Sequence, residues 1–96
     1  MTELNNKQRG YLRGLAHGLR PVVQIGQHGI TDALVKAVHH ALLEHELIKV
    51  KMHEPEDKRA MAQELGERSG AALCGAVGHV VILYRPHPDE PQLELP

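Results

Sequence analysis

The stretch Val22-Val23-Gln24-Ile25-Gly26-Gln27-His28-Gly29-Ile30-Thr31 decides how this chain is read. A short β-branched run ends in Gly-x-x-Gly and a long amphipathic pattern begins at Thr31, so the stretch is a strand-to-helix turn. Two glycines allow the backbone positive φ and keep side chains away from anything approaching it. Thr31 is placed to cap the helix that follows, whose free amides and dipole favour an anion, with only Asp32 in the first turn to compete. Gly26, Gln27, His28, Gly29 and Thr31 are therefore candidate contacts for a sugar-phosphate chain.

On context alone a plain tight turn fits equally well, because nine glycines in 96 residues pair by accident. A second pair, Gly75-Ala76-Val77-Gly78, lies within a strand-turn-strand pattern with no helix after it, so no set of amides converges there.

Before the turn, a helix is expected from about Asn5 to His17, with Leu12, Leu15 and Leu19, joined by Gln8 and Tyr11, on its inner side. Arg9, Arg13 and His17 lie opposite, and Arg20 follows; nothing acidic after Glu3 neutralises them. Gly10 and Gly14 share that outer side, each costing about 1 kcal/mol relative to Ala in a helix interior. Two readings follow: a basic ridge on which a polyanion lies, or a surface where a neighbouring element packs on the glycines. Gly18 is expected to end the helix as a left-handed cap, and Pro21 bars its continuation.

After the turn, Leu34, Val35, Val38, Ala41 and Leu42 trace the buried stripe of a helix from Thr31 to about Glu44, leaving Lys36, His39, His40 and Glu44 outside. Leu47 to Met52 alternates strictly, so Ile48, Val50 and Met52 face a core while Lys49 and Lys51 share the other face. Those lysines suit either phosphate or the protection of an edge strand. Pro55-Glu56-Asp57 opens a third helix, closed by Gly70, with a thin stripe of Met61, Ala62 and Leu65. Ala72–Val77 and Val80–Tyr84 form two strands joined by Gly78-His79, and the unalternating Val80-Val81-Ile82-Leu83 predicts cover on both faces. From Pro86 onward, four prolines and several acids predict an acidic tail over 87–96 without a fold of its own, on which Leu93 and Leu95 are the docking candidates.

Composition narrows the function. The chain fits one domain, and at this size roughly 60–65% of the unfolded surface is buried, enough for one modest core. With no Phe or Trp and only Tyr11 and Tyr84, an aromatic platform for stacked bases is not available. Net charge is −1, yet residues 1–53 carry seven Lys and Arg against four acids, and residues 54–96 four against eight. Such asymmetry fits a directed electrostatic surface or the ordinary scatter of surface charge. Cys74 is the only cysteine, so no internal disulfide can form. The N-terminal residues lack a signal-peptide core and no run approaches the ~18 apolar residues of a membrane span, so a cytoplasmic location away from membranes is expected. Eight histidines show no catalytic or zinc spacing, and adjacent His39 and His40 diverge on a helix. The expectation is not an enzyme, with no cofactor, no metal and no small-molecule substrate.

The order helix, strand, Gly-x-x-Gly, helix, strand, helix, strand, strand resembles the YhbY family, the stand-alone bacterial form of the CRM (chloroplast RNA splicing and ribosome maturation) domain. The resemblance runs through Lys7–Arg13, Pro21–Thr31, Glu46–Lys51 and Val81–Pro86, and so covers essentially residues 4–86. It implies a single α+β domain over 1–86 in the order α-β-α-β-α-β-β, with a four-stranded mixed sheet. The fold would be similar to the C-terminal domain of translation initiation factor 3 and KH-like in its loop. It also implies binding to RNA, with ribosomal RNA in large-subunit precursor particles as the partner. A monomer is expected, although no residue pattern fixes the oligomeric state. Carried over by position, the family's loop falls on Gly26, Gln27, His28 and Gly29, its basic helix positions on Lys7, Arg9 and Arg13, and its strand lysines on Lys49 and Lys51. Gln27 departs from the lysine of many members, shifting phosphate affinity toward the first helix. The rival from another class is a protein-interaction module, with Gly10 and Gly14 as a packing groove and the tail as a tether; a regulator of another RNA, without a ribosomal role, is the other alternative.

Overall fold

The structure, a computed structural model, describes residues 3–96. Its elements are α1 (Asn6–Ala16), β1 (Val23–Gln24), α2 (Asp32–His45), β2 (Leu47–Lys51), α3 (Lys58–Ser69), β3 (Ala72–Val77) and β4 (Val80–Tyr84). The four strands form one mixed sheet in the order β1-β2-β4-β3. β1 runs parallel to β2, which requires the crossover that α2 supplies, and the other pairs are antiparallel. This is the α+β architecture and element order expected from the sequence.

Helices cover both faces. α2 and α3 bury Val38, Leu42, Ala62 and Leu65 against Ile48, Val50, Val81 and Leu83. Burying each such leucine contributes about 1.5–3 kcal/mol. On the opposite face Leu12 and Ala16 of α1, with Leu4, pack on Leu47, Cys74, Ile82 and Tyr84. The central strand β4 is thus covered on both sides, as its unbroken apolar run predicted.

The inner side of α1 is not the one its leucines suggested. Leu12 and Ala16 are fully buried, whereas Leu15, Leu19 and Tyr11 are 41%, 42% and 44% exposed. The small Ala16 permits close approach, and the helix is rotated so that Arg9 and Arg13 flank the buried line instead of opposing it. Arg13 lies across β3: a Cβ on Gly75 would come within 2.8 Å of its Cδ. Its guanidinium donates to the carbonyl of Cys74 at 2.9 Å, where β3 is irregular between Leu73 and Gly75. The aliphatic stem of an arginine serves as core cover there.

Ends of elements also shift. Asn5 and Gln8 form a capping box at the start of α1. Gly18 is not a left-handed cap; α1 closes through His17 in right-handed conformation. α3 begins at Lys58, not in the first turn after Pro55, because Asp57 accepts the amide of Ala60 and caps the helix. His39 is half-buried rather than solvated: Arg85 lies 2.8 Å from its Nδ1 and also donates to the Ser69 carbonyl, tying α2, α3 and β4 together. Burial, then Arg85, then His40 hold the His39 pKa below its ordinary value.

Residues beyond Pro86 form no helix or strand, but they fold back along the α1 face. The buried carboxylate of Glu46, which precedes β2, accepts the amides of His87, Gln92 and Leu93 at 2.7–3.0 Å. Burial alone would raise its pKa; those three donors outweigh it and hold the carboxyl below its ordinary value. Leu93 and Leu95 then pack beside the α1 core, and Gln8 donates to the carbonyl of Pro96 at 3.2 Å.

Candidate nucleic-acid interface

Gly26 to Gly29 form a tight turn at the sheet's end, closed by the Gly29 amide donating to the Gly26 carbonyl at 3.1 Å. Gly29 has φ +74° and needs to be glycine. Gly26, in contrast to the expectation for both glycines, lies outside the left-handed region, and a Cβ there would meet nothing within 4 Å. Gln27 and His28 are exposed at the tip. Thr31 caps α2 as expected, its hydroxyl accepting the Leu34 amide at 3.1 Å. The amides of Asp32 and Ala33 have no intrahelical partner by helix geometry and stand beside the turn.

Arg68, from α3, controls the charge here. It donates to the Ile30 carbonyl and to the Asp32 carboxylate at 2.9 Å, with Glu64 at 3.4 Å behind it. Asp32 is the acid that opposes an anion at the α2 N-terminus, and Arg68 pairs with its exposed carboxylate while pinning the turn to α3. Sequence reasoning missed Arg68. Its partners lie 36 and 38 residues away and no local pattern links them.

Strand register brings part of the predicted basic set to this end. Lys51 pairs with Gln24 on one side and Val80 on the other, so it stands next to the turn. Lys49 pairs with Ile82, on the same face. β2 lies between β1 and β4, which removes edge protection as the reason for these lysines. Lys49 also has a structural task, its Nζ donating to the carbonyls of Leu19 at 3.1 Å and His17 at 3.4 Å beyond the end of α1. Arg13 stands across Ile82 from Lys49, since Gly75 beneath it pairs with that residue.

The remaining predicted cations are not brought together with these. Arg9 lies near the β3 edge in a depression it shares with Glu3, Gln63 and Glu67. Arg20 sits with Leu19, Val22 and Leu47 toward the opposite end of β2 from the turn. Lys7 is exposed in the first turn of α1.

Among the described residues no three His, Cys, Asp or Glu converge to hold a metal. Burial pushes the Cys74 thiol up to about 11 against the opposing pull of Arg9 and Arg13, so it is protonated at neutral pH. No helix among the described residues is long and apolar enough to cross a membrane.

The family model of the CRS1 / YhbY (CRM) domain matches residues 4–85. This chain belongs to that family. A Haemophilus influenzae relative named as an RNA-binding protein is 40% identical over 100% of this CRM chain and 98% of its own length. YqeI of Bacillus subtilis, named a probable RNA-binding protein, is 37% identical over 97% of this chain and 99% of its own. A solution structure of a Staphylococcus aureus protein superposes with a TM-score of 0.85 at 35% identity, covering 98% of this chain and all of that one. In this chain the Gly-x-x-Gly turn, the start of α2 and Lys51 lie at one end of the sheet, with Lys49 two residues back along β2.

Proposed function

We propose that this chain binds structured RNA through its phosphate backbone, at the Gly26–Gly29 turn, the α2 N-terminus and the cations Lys51, Lys49 and Arg13. The observation that carries the reading is Gly26. Its backbone does not require glycine and the space around it is open, so what glycine supplies there is room for an approaching chain. The amides of α2 stand beside that space, and relatives of nearly the same length are named as RNA-binding proteins. Contacts of this kind position a backbone and read little sequence.

The partner in this proposal is ribosomal RNA of precursors of the large subunit, in the cytoplasm, with the protein assisting assembly and catalysing nothing. Sedimentation of a lysate at low and moderate salt tests it. The protein should overlap particles slightly lighter than the mature large subunit and leave them at moderate salt, because counterion release makes phosphate contacts salt-sensitive. A protein that stays at the top of both gradients refutes the ribosomal target. The exposed Leu15, Leu19 and Val22 favour a second reading, an interaction module for protein; co-purification of a partner that survives RNase would support it.

A further inference from the structure

Between the C-terminal half of α1 and the hairpin end of the sheet lies a groove of ≈ 630 Å³. Its floor is Val80 and Ile82, with Val77 beside them 69% exposed. Arg13, His17 and Lys49 line its rim, and among the described residues no acid does. Gly14 forms part of the α1 wall, and a Cβ there would meet nothing within 4 Å. An apolar floor under a purely basic or neutral rim complements one kind of occupant, a flat ring with apolar faces attached to a negatively charged chain.

We infer that this groove takes an unpaired nucleobase of the RNA whose backbone lies on the Gly26–Gly29 turn. The inference rests on the proposed RNA-binding reading and adds the substrate class: unpaired nucleotides in preference to a duplex, whose bases are stacked away from such a floor. Register supports the continuity. Gln24, Lys51, Val80 and Val77 form one row across the sheet's end, so the groove opens roughly 10 Å, two strand spacings, from the strand that carries the turn. Lys51 lies between them and bridges the two sites with positive charge. No aromatic side chain is needed, because the aliphatic floor excludes water from one face of the ring.

Gly14→Leu tests this by filling the groove. The site is open, and leucine raises helix propensity, so the thermal midpoint should not fall. Val77→Ser is the second variant, polar where the groove needs an apolar surface. Affinity is measured by fluorescence anisotropy against a short unpaired RNA, the same RNA with abasic positions, and a paired duplex. Both variants should lose about tenfold on the unpaired RNA, equivalent to burying roughly 60 Å² of apolar base surface. They should bind the abasic RNA and the duplex as wild type does. Equal affinity of wild type for normal and abasic RNA overturns the inference, as does undiminished binding of the unpaired RNA by Gly14→Leu. Gly26→Asp separates the two readings. If it loses RNA while Gly14→Leu keeps it, the turn stands and the groove falls; the converse result removes the turn and leaves the groove.

Discussion

Replacing Gly26 by Asp should separate binding from folding. A Cβ at this position meets nothing within 4 Å and φ lies outside the left-handed region, so the folded state accommodates a side chain. Removing a glycine from such a site also restricts the unfolded chain, which stabilises by about 0.4–1 kcal/mol. For RNA the same change places a carboxylate where a phosphate is to lie. At about 5 Å the repulsion is roughly 1 kcal/mol in bulk water and roughly 3 kcal/mol at an effective dielectric of about 20. Affinity should therefore fall about fivefold to a hundredfold. Gly29→Asp is the contrast: φ +74° makes it strained, costing about 1–2 kcal/mol of stability. Thermal unfolding and anisotropy titrations at matched salt give both numbers for both variants. A Gly26→Asp protein that binds like wild type would refute the reasoning, and so would one that melts well below it.

Arg68→Gln should weaken RNA binding several-fold by leaving the exposed Asp32 carboxylate without its cation, and Asp32→Asn in the same chain should restore it; failure of the double variant to recover would assign Arg68 a purely structural part. Lys51→Gln should lower the slope of log affinity against log salt by about 0.7, the release from one phosphate on a single strand. Lys49→Gln should do the same and also lower stability by about 0.5–1 kcal/mol, since its ammonium holds the carbonyls beyond α1; equal stability of the two variants would contradict that distinction. Glu46, whose folded pKa is depressed, contributes stability that is present above its ordinary 4.5 and lost as pH falls through the folded value. Glu46→Gln should remove that acid dependence, cost about 2 kcal/mol and expose residues 87–96 to protease at neutral pH. An unchanged acid limb in that variant would exclude Glu46 as the source.

The sheet was legible because its signals are local. The alternation of Leu47 to Met52, the Gly78-His79 turn and the apolar run of β4 each carry their own period, and the strands fall within a residue of expectation. α1 misled because periodicity weighs leucines by size, while its contact is made by Leu12 and the small Ala16, with the stem of Arg13 as cover. Its capping box went unread: Asn5 and Gln8 have the required spacing, but periodicity places Gln8 on the inner side of the helix. Two parts of the architecture had no local sign at all. Arg68 reaches Asp32, and Glu46 reaches Leu93, across 36 and 47 residues, through contacts that exist only once the sheet has formed.

The tail held by Glu46 brings the last residue against the first helix: the carbonyl of Pro96 accepts from Gln8, three positions beyond the α1 cap. Glu46 and Lys51 stand at opposite ends of β2, so this meeting point lies away from the turn that carries Gly26. Residues 87–96 therefore act as a strap that fastens the start of α1 to the start of β2. A cut within this strap should let α1 shift on the sheet while leaving the turn and the start of α2 in place, so the hold on α1 and the surface around Gly26 are separable.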